Sequence, residues 1–200
     1  MLGYPFLAAA PRSYLGRAFE FTRQFLFKWT VNWRFVGEDT FLSRPFSYVL
    51  LLVHGVLLGI FIATRWLKPM DVDLPTALQQ LFHPPADPAP GRSSRRVTPD
   101  FILTTFLTAI ITGCLCARSL HYQFYAYIAW STPFLLWRSG LHPVLVYVVW
   151  AAQEWAWNVY PSTDVSSIIV VSTLAIATLS AWFGGYREPA ITKDKGEHEE

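Results

Sequence analysis

Two groups of side chains in this 200-residue chain have the types and spacing that chemistry needs. The first is R-S-L-H-Y-Q-F-Y, Arg118–Tyr125. On a helix, Arg118, His121, Tyr122 and Tyr125 share one face at i, i+3, i+4 and i+7. An always-charged guanidinium fork beside a titratable imidazole suits a phosphate, and the tyrosines suit a sugar ring or the edge of a lipid. The same residues also fit a snorkelling arginine in an interfacial aromatic belt. Residue type alone leaves both readings open.

The second group surrounds Glu154 in W-A-A-Q-E-W-A-W-N-V-Y-P-S-T-D, with Trp150, Trp157 and Asn158 near it. A carboxylate inside an apolar helix is costly and faces a partner or a cavity. Arg118 lies at the same predicted depth, so an Arg118–Glu154 ion pair is expected, either as structural glue or to orient the arginine. His54, in the middle of an apolar run, reads as an interior histidine, and Glu38 and Asp39 read as loop acids. Cys114 and Cys116 sit in an apolar run at a spacing that matches no metal motif, and two cysteines build no disulfide framework. No metal site and no cofactor is expected.

The elements that carry these residues are membrane helices. The chain is 52% hydrophobic and 15% charged, with nine Trp and nine Tyr; a soluble domain carries roughly 25% charged residues. A net charge of +2 excludes both a strongly basic nucleic-acid binder and an acidic disordered chain. A span needs about 20 mostly apolar residues. Five segments qualify to different degrees: 46–67, 101–117, 122–137, 141–157 and 165–183, the third and fourth being shorter and less pure. The fold expected is all-α and polytopic, one transmembrane domain over residues 1–185. A Pro- and Ser-rich flexible loop is expected over 68–100 and a solvated, disordered tail over 186–200.

Residues 14–35 read as an interfacial amphipathic helix. Arg17, Glu20, Arg23, Gln24, Lys28 and Arg34 fall on one half of a helical wheel, and Leu15, Phe19, Phe25, Trp29 and Trp33 on the other. Phe21, Phe27 and Val31 spoil the polar half. The opening MLGYPFLAAAP is short for a span and lacks a basic leader, and it reads as the end of an interrupted helix. Five crossings put nine Lys/Arg on one side and seven on the other. The positive-inside rule then places 68–100 and the tail in the cytosol, and 14–35, RSLH and NVYPSTD opposite.

The stretches RAFEFTRQFLFKWTVNWRFV, FLSRPF, RSLHYQFYAYIAWSTPFLLW and EWAWNVYPSTD resemble the dolichyl-phosphate-mannose-dependent α-1,3-mannosyltransferase family of asparagine-linked glycosylation. The likeness covers nearly the whole chain, in order, but only the C-terminal half of full members. It implies a GT-C type glycosyltransferase of the endoplasmic reticulum membrane with a lumenal active site. The implied partners are dolichyl phosphate mannose, the lipid-linked oligosaccharide Man5GlcNAc2-PP-dolichol and the membrane, with no nucleic acid. It further implies that Arg118 and His121 bind the donor phosphate and that Tyr122, Tyr125 and Glu154 line the substrate. The acidic base of the family lies in a loop without counterpart here, so the chain is expected to be a truncated form, inactive alone. Two rivals of other classes are a non-catalytic subunit of a membrane complex and a small transporter component. The second would call for internal symmetry, and the sequence has no repeat.

Overall fold

Cap residues mark where the helices begin. In the computed structural model, which describes residues 3–18, 26–70, 72–83 and 97–184, a side-chain cap and a first-turn proline recur together. Ser43 accepts from the Phe46 N–H ahead of α4 (Arg44–Phe61). Asp73 accepts from Thr76 ahead of α5 (Leu74–Phe82). Thr98 accepts from Phe101 ahead of α6 (Pro99–Cys116). Proline lacks the N–H that would be orphaned there, and the cap satisfies one that remains. The other long helices are α7 (Tyr125–Arg138), α8 (Pro143–Asn158) and α9 (Asp164–Phe183). Thr163 and Ser166 form a reciprocal capping box on α9. Short helices α1 (Tyr4–Ala9), α2 (Pro11–Ala18) and α3 (Glu38–Leu42) precede them.

Among the described residues, three helices are long and apolar enough to cross a membrane: Arg44–Trp66, where a π-helical turn Ile62–Trp66 extends α4, then α6 and α9. α7 and α8 have 14 and 16 residues, about 21 and 24 Å at 1.5 Å per residue. α9 is the central helix. It packs on α6, α7 and α8, and half of its span is buried against 11% for α4 at the periphery. Ser166, Ser167, Thr173, Thr178 and Ser180 of α9 are buried, whereas Ile168, Ile176 and Leu179 are exposed. This inside-out pattern belongs to a helix in lipid, where small residues let backbones approach and apolar side chains face the tails. Thr173 and Thr178 return their hydroxyls to the carbonyls of Val170 and Leu174, so no donor is stranded.

The bundle has two tied ends. At one, Arg138 pairs with Asp100, Arg65 lies over the Trp182 ring at 5.2 Å, and Gly184 abuts the turn after α7. A Cβ on Gly184 would come within 2.0 Å of the Ser139 Cα, so only glycine fits that crossing. At the other end, Arg34 meets Asp164 at 3.8 Å and donates its backbone N–H to Ser167 Oγ at 2.8 Å.

That second end departs from the sequence expectation. A continuous interfacial helix over 14–35 does not form: α2 ends at Ala18, and residues 30–33 are non-helical between 3-10 turns Phe27–Trp29 and Arg34–Val36. Glu20, Arg23 and Gln24 of the expected polar face lie outside the described residues. The reason is that Thr30, Val31 and Asn32 are buried against the linker after α6. Val31 N–H donates to the Leu120 carbonyl at 2.9 Å. Asn32 Nδ2 donates to the Ala117 carbonyl at 2.6 Å, while its Oδ1 accepts from Leu120 N–H at 2.7 Å. The Thr30 hydroxyl lies 2.9 Å from that same Oδ1. Trp33 adopts a left-handed φ of 53°, uncommon for a bulky residue, and its indole N–H reaches the Leu115 carbonyl at 3.2 Å. Asn32 and Trp33 thus cap the C-terminus of α6 from a distant segment.

The 68–100 loop also differs from expectation in part, because α5 occupies its first third, started by Asp73 and Pro75. Arg92, Arg95 and Arg96, and the tail, lie outside the described residues.

Replacing Asn32 with Leu keeps the volume and strands both the Leu120 N–H and the Ala117 carbonyl. The expected cost is about 3 kcal/mol, read as a lower Tm of the detergent-solubilised protein and faster proteolysis at 117–122. A Tm equal to that of the parent would show that the clamp does not hold the linker.

Candidate functional site

Arg118 and His121 stand in the linker that this clamp secures. Residues 117–121 are not helical, and helix resumes with a 3-10 turn at Tyr122–Phe124 leading into α7. The expectation that Arg118, His121, Tyr122 and Tyr125 share a helical face is therefore corrected. The backbone bonds that a helix would use are instead given to residues 31 and 32. What brings the four residues to one end of the bundle is the tertiary clamp.

Each sequence-predicted side chain has a definite setting. Arg118 is half-buried, donates Nη1 to Ser47 Oγ at 2.8 Å, and lies 5.7 Å from the centre of the Phe41 ring. Ser47 sits in the first turn of α4, so the guanidinium ties the linker to that span. His121 Nδ1 lies 3.2 Å from the Trp29 carbonyl, which can only accept. Nδ1 therefore carries the proton, and Nε2 is the nitrogen left for another partner. Tyr122 Oη donates to the Val159 carbonyl at 2.7 Å, and its ring lies 5.8 Å from that of Tyr160. Burial, then the neighbouring Tyr160, push the Tyr122 phenol above its ordinary value, so it remains a neutral donor.

Glu154 and Tyr125 form a pair of their own. The Tyr125 phenol donates to Glu154 Oε1, and the Tyr125 ring lies 5.6 Å from Trp157. The expected partnership of Arg118 with Glu154 is thus replaced: Ser47 stands beside the arginine and Tyr125 beside the carboxylate. A phenol is the neighbour that α7 presents one turn from the α8 terminus, and it meets the carboxylate's need for a donor without a second buried charge. Glu38 and Asp39 occupy the exposed first turn of α3, where negative charge suits the helix N-terminus. His54 Nε2 lies 3.9 Å from where a Cβ on Gly113 would stand, an interior position between α4 and α6. No cluster of metal-ligating side chains exists among the described residues.

Sequence reasoning missed Thr30, Asn32 and Ser47. The signal was present as the defects in the helical wheel. Phe27 spoils the polar face because its ring packs on Phe41 at 5.3 Å and under Arg34 at 4.7 Å. Val31 spoils it because it is 1% exposed.

The ALG3 protein family matches residues 1–167. The Dol-P-Man:Man(5)GlcNAc(2)-PP-Dol alpha-1,3-mannosyltransferase of Neurospora crassa is 56% identical over 192 residues, covering 94% of this chain and 43% of its own length. The protein of the same name from Scheffersomyces stipitis is 43% identical over 85% of this chain and 36% of its own length. The one from Homo sapiens is 38% identical over 96% and 43%. The matched region is the C-terminal part of those proteins, and the chain spans less than half of their length. No solved structure matches. With the family's match covering most of the chain and its relatives aligning along nearly all of it, this is a member of the ALG3 protein family.

Proposed function

We propose that this chain forms the C-terminal part of an α-1,3-mannosyltransferase that takes mannose from dolichyl phosphate mannose and adds it to Man5GlcNAc2-PP-dolichol. The observation that carries the reading is the joining of KWTVNWRF to RSLHYQF through Asn32, in a member of a family whose relatives bear that activity in their names. In this reading the helices cross the endoplasmic reticulum membrane five times, with α7 and α8 as the shorter crossings. The Arg118 end faces the lumen. The reaction is inverting: the 3-hydroxyl oxygen of an acceptor mannose attacks the donor's anomeric carbon, a base takes the hydroxyl proton, and the carbon–oxygen bond breaks with its electron pair leaving on dolichyl phosphate.

Arg118 and the Nε2 side of His121 neutralise that leaving phosphate, and Tyr122 and Tyr125 border the sugar or the first isoprene. His121 reaches the phosphate through Nε2, since Nδ1 is held by the Trp29 carbonyl. Glu154 lines the site as the anchor of Tyr125. The base is drawn from the part of the relatives' length that this chain does not span. The described carboxylates are poor candidates: Glu154 is taken by Tyr125, Asp164 by Arg34, Asp100 by Arg138, and Glu38 and Asp39 sit exposed at a helix start.

Three tests address this reading. In a full-length protein carrying this segment, Arg118→Lys keeps the charge and loses the fork. Mannose transfer should fall by about 2 kcal/mol, roughly thirtyfold, at unchanged abundance, whereas exposed Arg12→Lys should do nothing. Glu154→Met and Tyr125→Phe each remove one side of a shared bond and should lower folded protein in parallel. Full activity in Arg118→Ala at normal abundance would end the phosphate assignment. Expressed by itself in cells lacking the family's activity, the 200-residue chain should leave the five-mannose intermediate accumulated; restored extension would place a base within it. Single cysteines at Lys68 and Thr163 in a background without Cys114 and Cys116 report orientation. In sealed microsomes an impermeant reagent should label position 68 and spare 163, and the opposite pattern would invert the topology.

A further inference from the structure

At the end of the bundle away from Arg118, four helices converge on a narrow, open-mouthed cleft lined among others by Phe61, Arg65, Trp66, Asp100, Thr105 and Arg138. Two guanidiniums share this cleft with one carboxylate. Arg138 ends α7 and pairs with Asp100 at the start of α6. Arg65 belongs to the π-helical turn that extends α4, a distortion that recurs at functional positions. Its guanidinium is held at 5.2 Å over Trp182, whose ring meets Phe61 edge-on at 5.3 Å, while Phe61 stacks on Trp66 at 5.6 Å. The Arg65 Nε is buried without a hydrogen-bond partner. A buried donor on a charged group left in that state is costly unless a ligand supplies the acceptor.

We propose that this cleft binds the phosphate of an anionic membrane phospholipid. The two arginines less Asp100 leave one positive charge, which matches the single negative charge of a phosphodiester. The guanidinium presents N–H donors in the geometry a phosphate takes up. The cleft opens at the end of the spans, at headgroup depth. Ile102, Leu103 and Phe106 on the adjoining turns of α6 are exposed and apolar, and the lipid tails lie along them. Asp100 competes with the ligand for Arg138, so the site releases and rebinds lipid rather than sealing it in. This site stands apart from the donor site of the proposed mannosyltransferase and does not depend on that activity.

The test uses the chain reconstituted in nanodiscs of phosphatidylcholine with or without phosphatidylinositol, extracted into mild detergent and weighed by native mass spectrometry. The parent should retain phosphatidylinositol. Arg65→Met, which keeps an unbranched side chain but no guanidinium, should lose retention roughly tenfold. Lys68→Met removes an exposed charge from the same end and should retain lipid as the parent does. Asp100→Asn frees Arg138 and should raise retention, a gain that a misfolded variant would not produce. Inorganic phosphate added to phosphatidylcholine discs separates the two sources of the anion: a weaker rise in Tm than phosphatidylinositol gives supports the lipid, and an equal rise assigns the cleft to free phosphate. Equal retention in Arg65→Met and the parent, equal loss in Lys68→Met, or no gain in Asp100→Asn overturns the proposal.

Discussion

The side-chain amide of Asn32 is the interaction on which the arrangement of this end of the molecule depends. An amide carries a donor and an acceptor on one rigid plane, and here each is spent on a different peptide of the same five-residue linker: Nδ2 on the Ala117 carbonyl, Oδ1 on the Leu120 N–H. The linker is thereby held open between α6 and α7 instead of winding into either. Arg118 and His121 project from it at positions set by backbone hydrogen bonds, not by helical periodicity. A leucine would fill the space, but neither peptide group would then have a partner in a region that water reaches poorly.

The same clamp resolves how a polar segment is buried where the bilayer ends. Residues 26–36 carry Lys28, Thr30, Asn32 and Arg34 among four aromatic side chains. Charged heads remain outside, with Lys28 over the Trp29 ring and Arg34 against Phe27 and Asp164. The uncharged pair Thr30–Asn32 goes inside, because an amide and a hydroxyl can be satisfied by peptides at far smaller desolvation cost than an ion. Sorting polar residues by charge gives a tightly bonded interior and a charged rim in one short stretch.

Much of the fold was legible because spans are long, apolar and punctuated. Ser43-Arg44-Pro45, Thr98-Pro99 and Thr163 with Ser166 announce helix starts, and the apolar runs behind them have membrane length. The chemistry-bearing types at the site, Arg118, His121 and the tyrosines, were visible too. Their geometry was not. The bonds that settle it join residues 29 to 92 positions apart, Tyr125 to Glu154 and His121 to Trp29 at the extremes, and no local period encodes such pairs. A helical reading of 118–125 failed because the competing acceptor and donor came from residue 32. The wheel over 14–35 failed for the mirror reason: its aromatic defects were core residues of a non-helical segment. Periodicity that is nearly right but broken by large apolar residues is the mark of a chain that is buried on more than one side.

The division of charge in this bundle also follows from its interior. α9 packs through small residues together with Val170 and Leu174, and Thr173 and Thr178 return their hydroxyls to its own backbone, so the middle of the bundle needs no ion to hold it. Among the described residues the ion pairs Arg34–Asp164 and Arg138–Asp100 stand at opposite ends. Glu154, the carboxylate within the apolar helix α8, is met by a neutral phenol and sits about one turn from the helix terminus. In low dielectric an unneutralised charge is stabilised only where headgroups or water reach it. Both ends hold an arginine that is partly buried beside an aromatic ring: Arg118 near Phe41, and Arg65 over Trp182. A ring face beside a guanidinium attracts the cation and leaves the edge of its plane for hydrogen bonds, so charge can be held at the ends of the bundle without a carboxylate at every arginine.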